Sequence, residues 1–208
     1  MGRPRIHDEA LRERLLDLAA AAVAVDGPFG LSVRSLARSA GTSTAAVYTL
    51  FGGMSGLLDQ LYARAFDRLG AGQRAVVASD DPVADIVALC RAYRETALEA
   101  PNAYRMMFGN YATVDNLPPA VAERAALTFE PLVEAVGRAV DAGRFPSTPD
   151  ANAIATALWA NVHGLVSVEL GAFRPPAASD PAQFFDMASR RAVYAWSDPP
   201  DSGPHRPS

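Results

Sequence analysis

The stretch LSVRSLARSAGTSTAAVYTLFGGMSGLL, residues 31–58, predicts two short helices that are joined by a glycine turn and followed by a third helix. Ser32 is placed to N-cap the first helix, and apolar residues then recur at three- and four-residue spacing along one face. These residues are Val33, Leu36, Ala37 and Ala40. Gly41 ends the helix, because glycine readily takes the left-handed conformation that a sharp turn needs. Residues 31–58 therefore predict a helix-turn-helix.

The second helix of this pair, residues 44–51, needs to bury only Val47, Leu50 and Phe51. The rest of its surface is small, uncharged and rich in hydroxyl groups: Thr44, Ala45, Ala46, Tyr48 and Thr49. Short side chains let such a helix approach base edges in a major groove, where threonine methyls can meet thymine methyls. The alternative is an ordinary packing corner between two helices, which uses the same glycine turn and stays open at this point.

A longer pattern includes this pair and its flanks. It consists of Gly27, Gly30, Leu31-Ser32-Val33, Leu36-Ala37, Ala40-Gly41, Ser43, Val47-Tyr48, Phe51 and Gly56-Leu57-Leu58. The pattern resembles the N-terminal domain of TetR-family transcriptional regulators. The resemblance implies an all-α protein with a three-helix, homeodomain-like helix-turn-helix head at residues 1–53. A C-terminal helical domain for ligand binding and dimerisation would follow at residues 54–196, and we expect the Pro-, Ser- and Asp-rich residues 197–208 to be disordered.

The resemblance also implies which residues meet DNA. The helix from Ser43 to Leu50 would enter a major groove, with Ser43 capping the helix and reaching a phosphate. Ahead of the first helix, Gly2-Arg3-Pro4-Arg5 forms a basic arm that either follows the DNA backbone or minor groove or is a solvated tail. The expected DNA-binding residues are Arg3, Arg5, Arg34, Arg38, Thr42, Ser43, Thr44, Ala45, Tyr48 and Thr49.

Two positions depart from the family pattern. TetR relatives usually carry a histidine where this chain has Leu50, and a lysine where it has Met54. In the family, the resemblance implies that both of these residues contact DNA phosphates. Their replacement implies fewer contacts with the DNA backbone and a shallower dependence of binding on salt.

Composition limits the remaining function classes. The formal net charge of the 208-residue chain is −4, so DNA contact must come from a local patch and not from general positive charge. Cys90 is the single cysteine, which excludes a disulfide within one chain and a CxxC metal site. The most apolar run, residues 18–25, is too short to span a bilayer. We therefore expect a soluble, cytoplasmic protein without a membrane partner.

No catalytic constellation emerges from the sequence. His7, His163 and His205 lie far apart and form no HxxxH or HExxH pair, and neither a P-loop nor GxGxxG occurs. Cys90 lies among apolar positions, as a small core residue does. We accordingly predict no enzyme activity, no metal and no cofactor.

Outside residues 31–53, apolar spacing predicts helices at residues 8–25 and 54–77. In the C-terminal half it predicts, among others, helices at residues 120–142, with a bend at Pro131, and at residues 150–171 and 181–196. Aromatic residues and methionines in this half could line an adaptable apolar cavity for a small-molecule effector, or could simply be core. The candidate lining residues are Tyr93, Tyr104, Met107, Phe108, Tyr111, Phe129, Trp159 and His163. For His163 a hydrogen-bonded position at a bundle interface is the competing interpretation. The string from Trp159 to Leu165 also resembles the W…HG signature of one subgroup of TetR C-terminal domains.

The predicted function is a one-component transcriptional regulator that binds a palindromic operator in double-stranded DNA as a homodimer. We expect a repressor, although the sequence does not separate repression from activation. Dimerisation is expected through helices 150–171 and 181–196, and release through a small hydrophobic effector. The alternative is a helical small-molecule-binding protein or enzyme in which the helix-turn-helix is only structural. The two hypotheses differ at Tyr48 and Thr49, which a structural corner buries and a DNA reader exposes.

Overall fold

A computed structural model describes residues 5–27, 30–108, 118–171 and 180–197, with only the backbone described for residues 5–8. Within these ranges the chain forms ten α-helices and no strand, which confirms the predicted all-α class. The helices are α1 (Arg5–Asp26), α2 (Val33–Ala40), α3 (Thr44–Phe51), α4 (Met54–Arg74), α5 (Pro82–Glu99), α6 (Pro101–Phe108), α7 (Pro119–Leu127), α8 (Glu130–Asp141), α9 (Ala151–Leu170) and α10 (Pro181–Tyr194).

The predicted turn between α2 and α3 is present with its caps. Ser32 and Ser35 form a capping box at the start of α2, in which the Ser35 amide donates to the Ser32 hydroxyl over 3.1 Å. Gly41 has φ 64° and ψ 37°, the left-handed conformation that a residue without Cβ adopts at no steric cost. The Ser43 hydroxyl then accepts from the Ala46 amide over 3.1 Å and caps α3. Local sequence signals therefore determine where α2 ends, where α3 begins and how the backbone turns between them.

The chain divides into two compact units. The first unit consists of residues 1–70 and 99–128, and the second of residues 71–98 and 129–208. Helix α4 thus ends within the second unit, although most of it belongs to the first. This division follows packing, and the functional boundary predicted between residues 53 and 54 stays a prediction.

In the first unit α3 packs against α2, and individual residues connect it to α1 and α4. Val47 and Phe51 are its buried residues. The Arg12 guanidinium lies 5.2 Å from the centre of the Phe51 ring and donates a hydrogen bond to Gln60 on α4. On the same side of α4, Arg64 forms an ion pair with Asp17 of α1 over 2.9 Å. Helix α3 therefore buries one side, with Val47 and Phe51, against the rest of the first unit and leaves its opposite side exposed.

In the second unit α9 packs against α8 and α10. The segment that leads into α5 is fixed by a polar cluster around Asp85, a buried carboxylate. Burial alone would raise the pKa of Asp85, but hydrogen bonds from Ser79 and the Arg138 guanidinium hold that pKa below its usual value. The cluster stabilises the start of α5 against α8.

Three predicted helix boundaries were wrong. The helix expected over residues 120–142 with a bend at Pro131 is two separate helices, α7 and α8, with a break at Thr128 and Phe129. Pro131 is the reason, because it has no backbone N–H to donate and disfavours the helical conformation of the residue before it. At the end of α7 the Thr128 hydroxyl donates a hydrogen bond to the Ala125 carbonyl over 2.7 Å. The long helix expected to reach Val77 ends at Arg74, and α1 begins at Arg5 rather than at Asp8.

Gly56 provides a test of how tightly the head is packed. A Cβ at Gly56 would lie 2.0 Å from the Phe51 carbonyl oxygen. We expect Gly56→Ala to lower the free energy of unfolding by about 1–3 kcal/mol, because the start of α4 must shift away from α3. The measurement is urea unfolding followed by circular dichroism.

Gly137→Ala is the matched control, because Gly137 lies inside α8 and a Cβ there would meet nothing within 4 Å. Alanine is the better helix former, so this variant should gain about 0.5–1 kcal/mol. Equal unfolding midpoints for the two variants would contradict the packing described at Phe51.

Candidate nucleic-acid interface

The outward side of α3 is a small, uncharged surface. Thr44, Ala45, Tyr48 and Thr49 are exposed, whereas Val47 and Phe51 on the opposite side are buried. The Tyr48 side chain is 58% exposed, a large value for an aromatic residue of a helix that packs on its other side. A purely structural corner would bury Tyr48 and Thr49. Their exposure therefore favours the DNA-reading interpretation over the packing corner.

Hydrogen bonds within α3 decide which groups this surface offers. The Thr49 hydroxyl donates to the Ala45 carbonyl over 2.9 Å, so its proton is used inside the helix. The Ser43 hydroxyl accepts from the helix and keeps its own proton, which suits a phosphate oxygen. Tyr48 lies against the α3–α4 turn, where a Cβ at Gly53 would approach the tyrosine ring to 3.4 Å. The surface thus combines outward hydroxyls near the start of α3 with apolar groups farther along.

Positive charge near α3 is sparse but uncompensated. Arg34 and Arg38 are the only charged residues between Gly27 and Leu58. Both are exposed on α2, and among the described side chains none pairs with either of them. Free guanidinium groups at this position can reach phosphates, and two of them give only a weak long-range field.

The other predicted DNA contacts, Thr42, Arg3 and Arg5, do not lie on the exposed side of α3. Thr42 is half-buried in the turn, where its amide bonds the Ala37 carbonyl over 2.9 Å. Arg3 lies outside the described residues, and Arg5 is the first residue of α1 with its side chain outside the description. Leu50 and Met54, the departures from the family pattern, are both half-buried. An apolar side chain at these two positions therefore packs partly into the head.

The predicted effector-lining residues are distributed over both compact units. Tyr104, Met107 and Phe108 belong to the first unit, where the Tyr104 and Phe108 rings lie 5.0 Å apart. Phe129, half-buried, belongs to the second unit together with Tyr93, Trp159 and His163, and Tyr111 lies outside the described residues. These positions remain candidates for ligand contact.

His163 is the polar centre of the group in the second unit. Its Nδ1 lies 3.2 Å from the Tyr93 hydroxyl, and its ring stacks on Trp159 at a centroid distance of 5.1 Å. Burial lowers the pKa of His163, so the ring is neutral at physiological pH. A neutral imidazole beside two aromatic rings can orient one polar group of an otherwise apolar ligand.

Sequence reasoning missed an ion pair beside this group. Arg94 of α5 donates two hydrogen bonds to Glu169 of α9, over 2.8 and 2.6 Å, and its guanidinium lies 5.4 Å from the centre of the Phe185 ring. The hydrogen bonds to Glu169 raise the pKa of Arg94. A signal was present, because Glu169 is the only Asp, Glu, Lys or Arg in α9. A single carboxylate in such an apolar helix requires a partner.

Cys90 and the acidic residues offer little chemistry. Cys90 is buried, and burial raises the pKa of its thiol to about 12, so it stays protonated and unreactive. In the part of the chain that the structure describes, no three His, Cys, Asp or Glu side chains are placed to hold a metal ion. One helix, Ala151–Leu170, is long and apolar enough to cross a membrane by length and composition, which is weak support for a membrane span.

Comparisons with known proteins agree with this geometry. Residues 15–61 match the family described as "Bacterial regulatory proteins, tetR family", and residues 86–192 match "Tetracyclin repressor-like, C-terminal domain". The HTH-type transcriptional regulator Rv1816 of Mycobacterium tuberculosis is 26% identical over 95% of this chain and 97% of its own length. The matched families and this relative are transcriptional regulators, not enzymes. The narrower W…HG subgroup stays a prediction.

Solved structures extend the likeness to the whole fold. A protein of unknown function from Rhodococcus sp. RHA1 is 30% identical, with a TM-score of 0.74 over 90% of this chain and 96% of that one. The TetR family transcriptional regulator PfmR from Thermus thermophilus has a TM-score of 0.70 at 22% identity over 86% of this chain and 97% of its own. The latter similarity concerns the fold alone.

We expect His163 to make the protein less stable as the pH falls through the range of histidine titration. Its pKa is lowered in the folded protein, whereas in the unfolded chain it is about 6.5. Below that pH the unfolded chain binds a proton that the folded protein resists, so the free energy of unfolding decreases until the pH passes the folded pKa. The measurement is the thermal midpoint between about pH 7.5 and pH 5.5.

His163→Asn is the comparison for this experiment. His7 and His205 remain in both proteins, so their contribution cancels. The wild-type midpoint should fall more steeply with decreasing pH than that of the variant. Parallel curves would show that His163 titrates alike in both states.

Proposed function

We propose that this chain, which belongs to the TetR family of bacterial transcriptional regulators, is a repressor that binds a palindromic operator as a homodimer and is released by a small hydrophobic effector. The exposed, uncharged side of α3, held at a capped helix-turn-helix, carries this proposal. Soluble regulators of this family are typically cytoplasmic, and we assign the same location here.

DNA recognition would use α3 in the major groove. Its exposed side chains are short except for Tyr48, so the helix backbone can come close to the base edges. The hydroxyls of Ser43 and Tyr48 and the guanidinium groups of Arg34 and Arg38 would contact phosphates on either side. With so few cations, binding depends on the fit of this surface and less on the total charge.

A second copy of the chain would cover the exposed side of α9 and α10. The exposed residues of α9 include Ala153, Ala157, Ala160, Gly164 and Val168. Those of α10 include Phe184, Met187 and Tyr194, which are each more than two-fifths exposed. Asn152, Thr156, Asn161 and Ser167 are also exposed on α9, and only five of its 20 residues are buried in one subunit. The exposed apolar side chains of both helices indicate an interaction site, and large side chains facing small ones can interdigitate across a two-fold axis.

Two heads on such an axis would meet two half-sites of a palindrome. Helix-turn-helix dimers place their reading helices about 34–36 Å apart, which is one turn of B-DNA. A change in the distance between the heads then weakens binding to both half-sites together. A two-fold symmetric dimer therefore requires an operator with the same symmetry.

The effector would act through its different affinity for the two arrangements of the heads. His163, Tyr93 and Trp159 provide aromatic surface with one neutral polar group. The neighbouring charges of Arg94 and Glu169 neutralise each other. This environment suits an uncharged, largely apolar molecule with one hydrogen-bonding group. Without the effector the operator stays occupied, which is repression.

The first test is DNA binding by Tyr48 variants. Tyr48→Ala removes the largest exposed group of α3, so we expect at least a tenfold weaker affinity for a duplex from the region upstream of the gene. Tyr48→Phe keeps the ring and loses only the phosphate-binding hydroxyl, so its loss should be about two- to fivefold. Fluorescence anisotropy over a series of salt concentrations measures both.

Circular dichroism establishes that each Tyr48 variant is folded. If the folded wild-type protein binds no specific DNA, the repressor hypothesis fails and a small-molecule-binding role replaces it. If Tyr48→Ala binds as tightly as wild type, α3 is not the reading helix.

Gly164→Ala tests the dimer. A Cβ at Gly164 meets nothing within 4 Å in one subunit, so the substitution should not harm the isolated chain and should favour its helix. A methyl group at a close contact between subunits would instead push them apart. We expect the dimer dissociation constant to rise at least tenfold, as measured by analytical ultracentrifugation.

Gly137→Ala again provides the control, because it adds the same methyl group to a helix outside this surface. It should leave the dimer dissociation constant unchanged. If the two variants behave alike, the α9 surface around Gly164 is not the subunit interface.

A further inference from the structure

We infer, on the basis of the proposed function, that α3 reads the operator through methyl groups. Specifically, Thr49 and Ala45 form an apolar row that meets the 5-methyl group of thymine in the major groove. The two residues are one helical turn apart and both are exposed.

The hydrogen bond of Thr49 determines which of its groups faces outward. Its hydroxyl donates to the Ala45 carbonyl over 2.9 Å, so that branch of the side chain is turned back along the helix. The methyl group is the other branch on the same carbon, and it is left to form the outer surface. The Ala45 methyl lies one turn away in the same row. Thr49 therefore presents an apolar group although its side chain is formally polar.

The other residues of α3 cannot read bases by paired hydrogen bonds. Bidentate contacts require Arg, Lys, Asn, Gln, Asp or Glu, and the sequence TAAVYTLF contains none of them. Thr44 and Tyr48 form the neighbouring row, whose single hydroxyls suit phosphate oxygens. On the major-groove edge of the bases the thymine methyl is the one apolar group. Contact between methyl groups is thus a direct readout that this helix can provide without a bidentate side chain.

The expected effect follows from the area of one methyl group. Removing a buried methyl contact weakens binding roughly fourfold in each half-site, and on the order of tenfold in a palindrome changed in both half-sites. This size is measurable and is smaller than the loss of a bidentate contact. An effect much larger than this would indicate a hydrogen bond.

Deoxyuridine provides the test, because it lacks only the thymine methyl and keeps the base pair. The full-length wild-type protein first selects duplexes from a random library. Each thymine of the selected half-site is then replaced in turn by deoxyuridine, symmetrically in both half-sites. We expect one or two positions at which the replacement lowers affinity on the order of tenfold, and no effect elsewhere.

Two substitutions of Thr49 separate its methyl from its hydroxyl. Thr49→Val keeps a methyl and loses the hydroxyl, so it should still distinguish thymine from deoxyuridine. Thr49→Ser keeps the hydroxyl and loses the methyl, so it should bind more weakly and no longer distinguish them at one position. Thr128→Ser is the control for the loss of a threonine methyl elsewhere in the chain, because Thr128 lies outside α3 and α9 and also donates its hydroxyl proton to a carbonyl one turn earlier, that of Ala125, over 2.7 Å. This control should keep full discrimination.

The outcomes distinguish this inference from the proposed function. A folded wild-type protein that selects no DNA sequence contradicts both. A protein that selects a sequence but binds every deoxyuridine duplex equally contradicts methyl readout alone. Discrimination that survives in Thr49→Ser and disappears in Thr49→Val assigns recognition to the hydroxyl, and also overturns the inference.

Discussion

The burial of Phe51 is the contact on which the head depends. Helix α3 has only eight residues, and a helix of that length does not keep its shape in water by itself. Phe51 and Val47 supply its buried contacts, and the Arg12 guanidinium covers the Phe51 ring. The Phe51 carbonyl occupies the space beside Gly56, so α4 begins directly against the end of α3. Because these contacts lie on one side, the opposite side of α3 is left exposed, and there the Tyr48 ring packs against the turn at Gly53.

The sequence predicted this head well because its signals are local. Ser32, Gly41 and Ser43 each act within one helical turn, so their roles as caps and turn can be recognised without the rest of the chain. The spacing of Val47 and Phe51 likewise separates the buried side of α3 from its exposed side. The hydroxyl orientation of Thr49 was beyond prediction, because it depends on a rotamer and not on residue type. On the proposed reading surface, that orientation would make Thr49 present its methyl group and not its hydroxyl proton.

Features that depend on distant contacts were predicted less well. The apolar spacing continues through residues 120–142 although the backbone breaks before Pro131, because periodicity reports which side is buried and not whether the helix is continuous. The partner of Glu169 could not be inferred, since Arg94 precedes it on another helix and several arginines were available. The candidate effector-lining residues share a residue type, which says nothing about which of them lie together. The structure places them in two compact units.

Helix α9 must satisfy two opposing requirements. On its exposed side, small residues such as Ala157 and Gly164 would let a second subunit approach in the proposed dimer, whereas its inner side holds His163 and Glu169. A carboxylate in this environment would be costly alone, and the paired hydrogen bonds from Arg94 offset that cost while fixing α9 against α5. The Tyr93 hydroxyl adds a second polar contact between the same two helices. Polar contacts with α5 thus set the position of the surface that α9 offers to a partner, so a ligand that separates α5 from α9 would alter the proposed dimer without touching it.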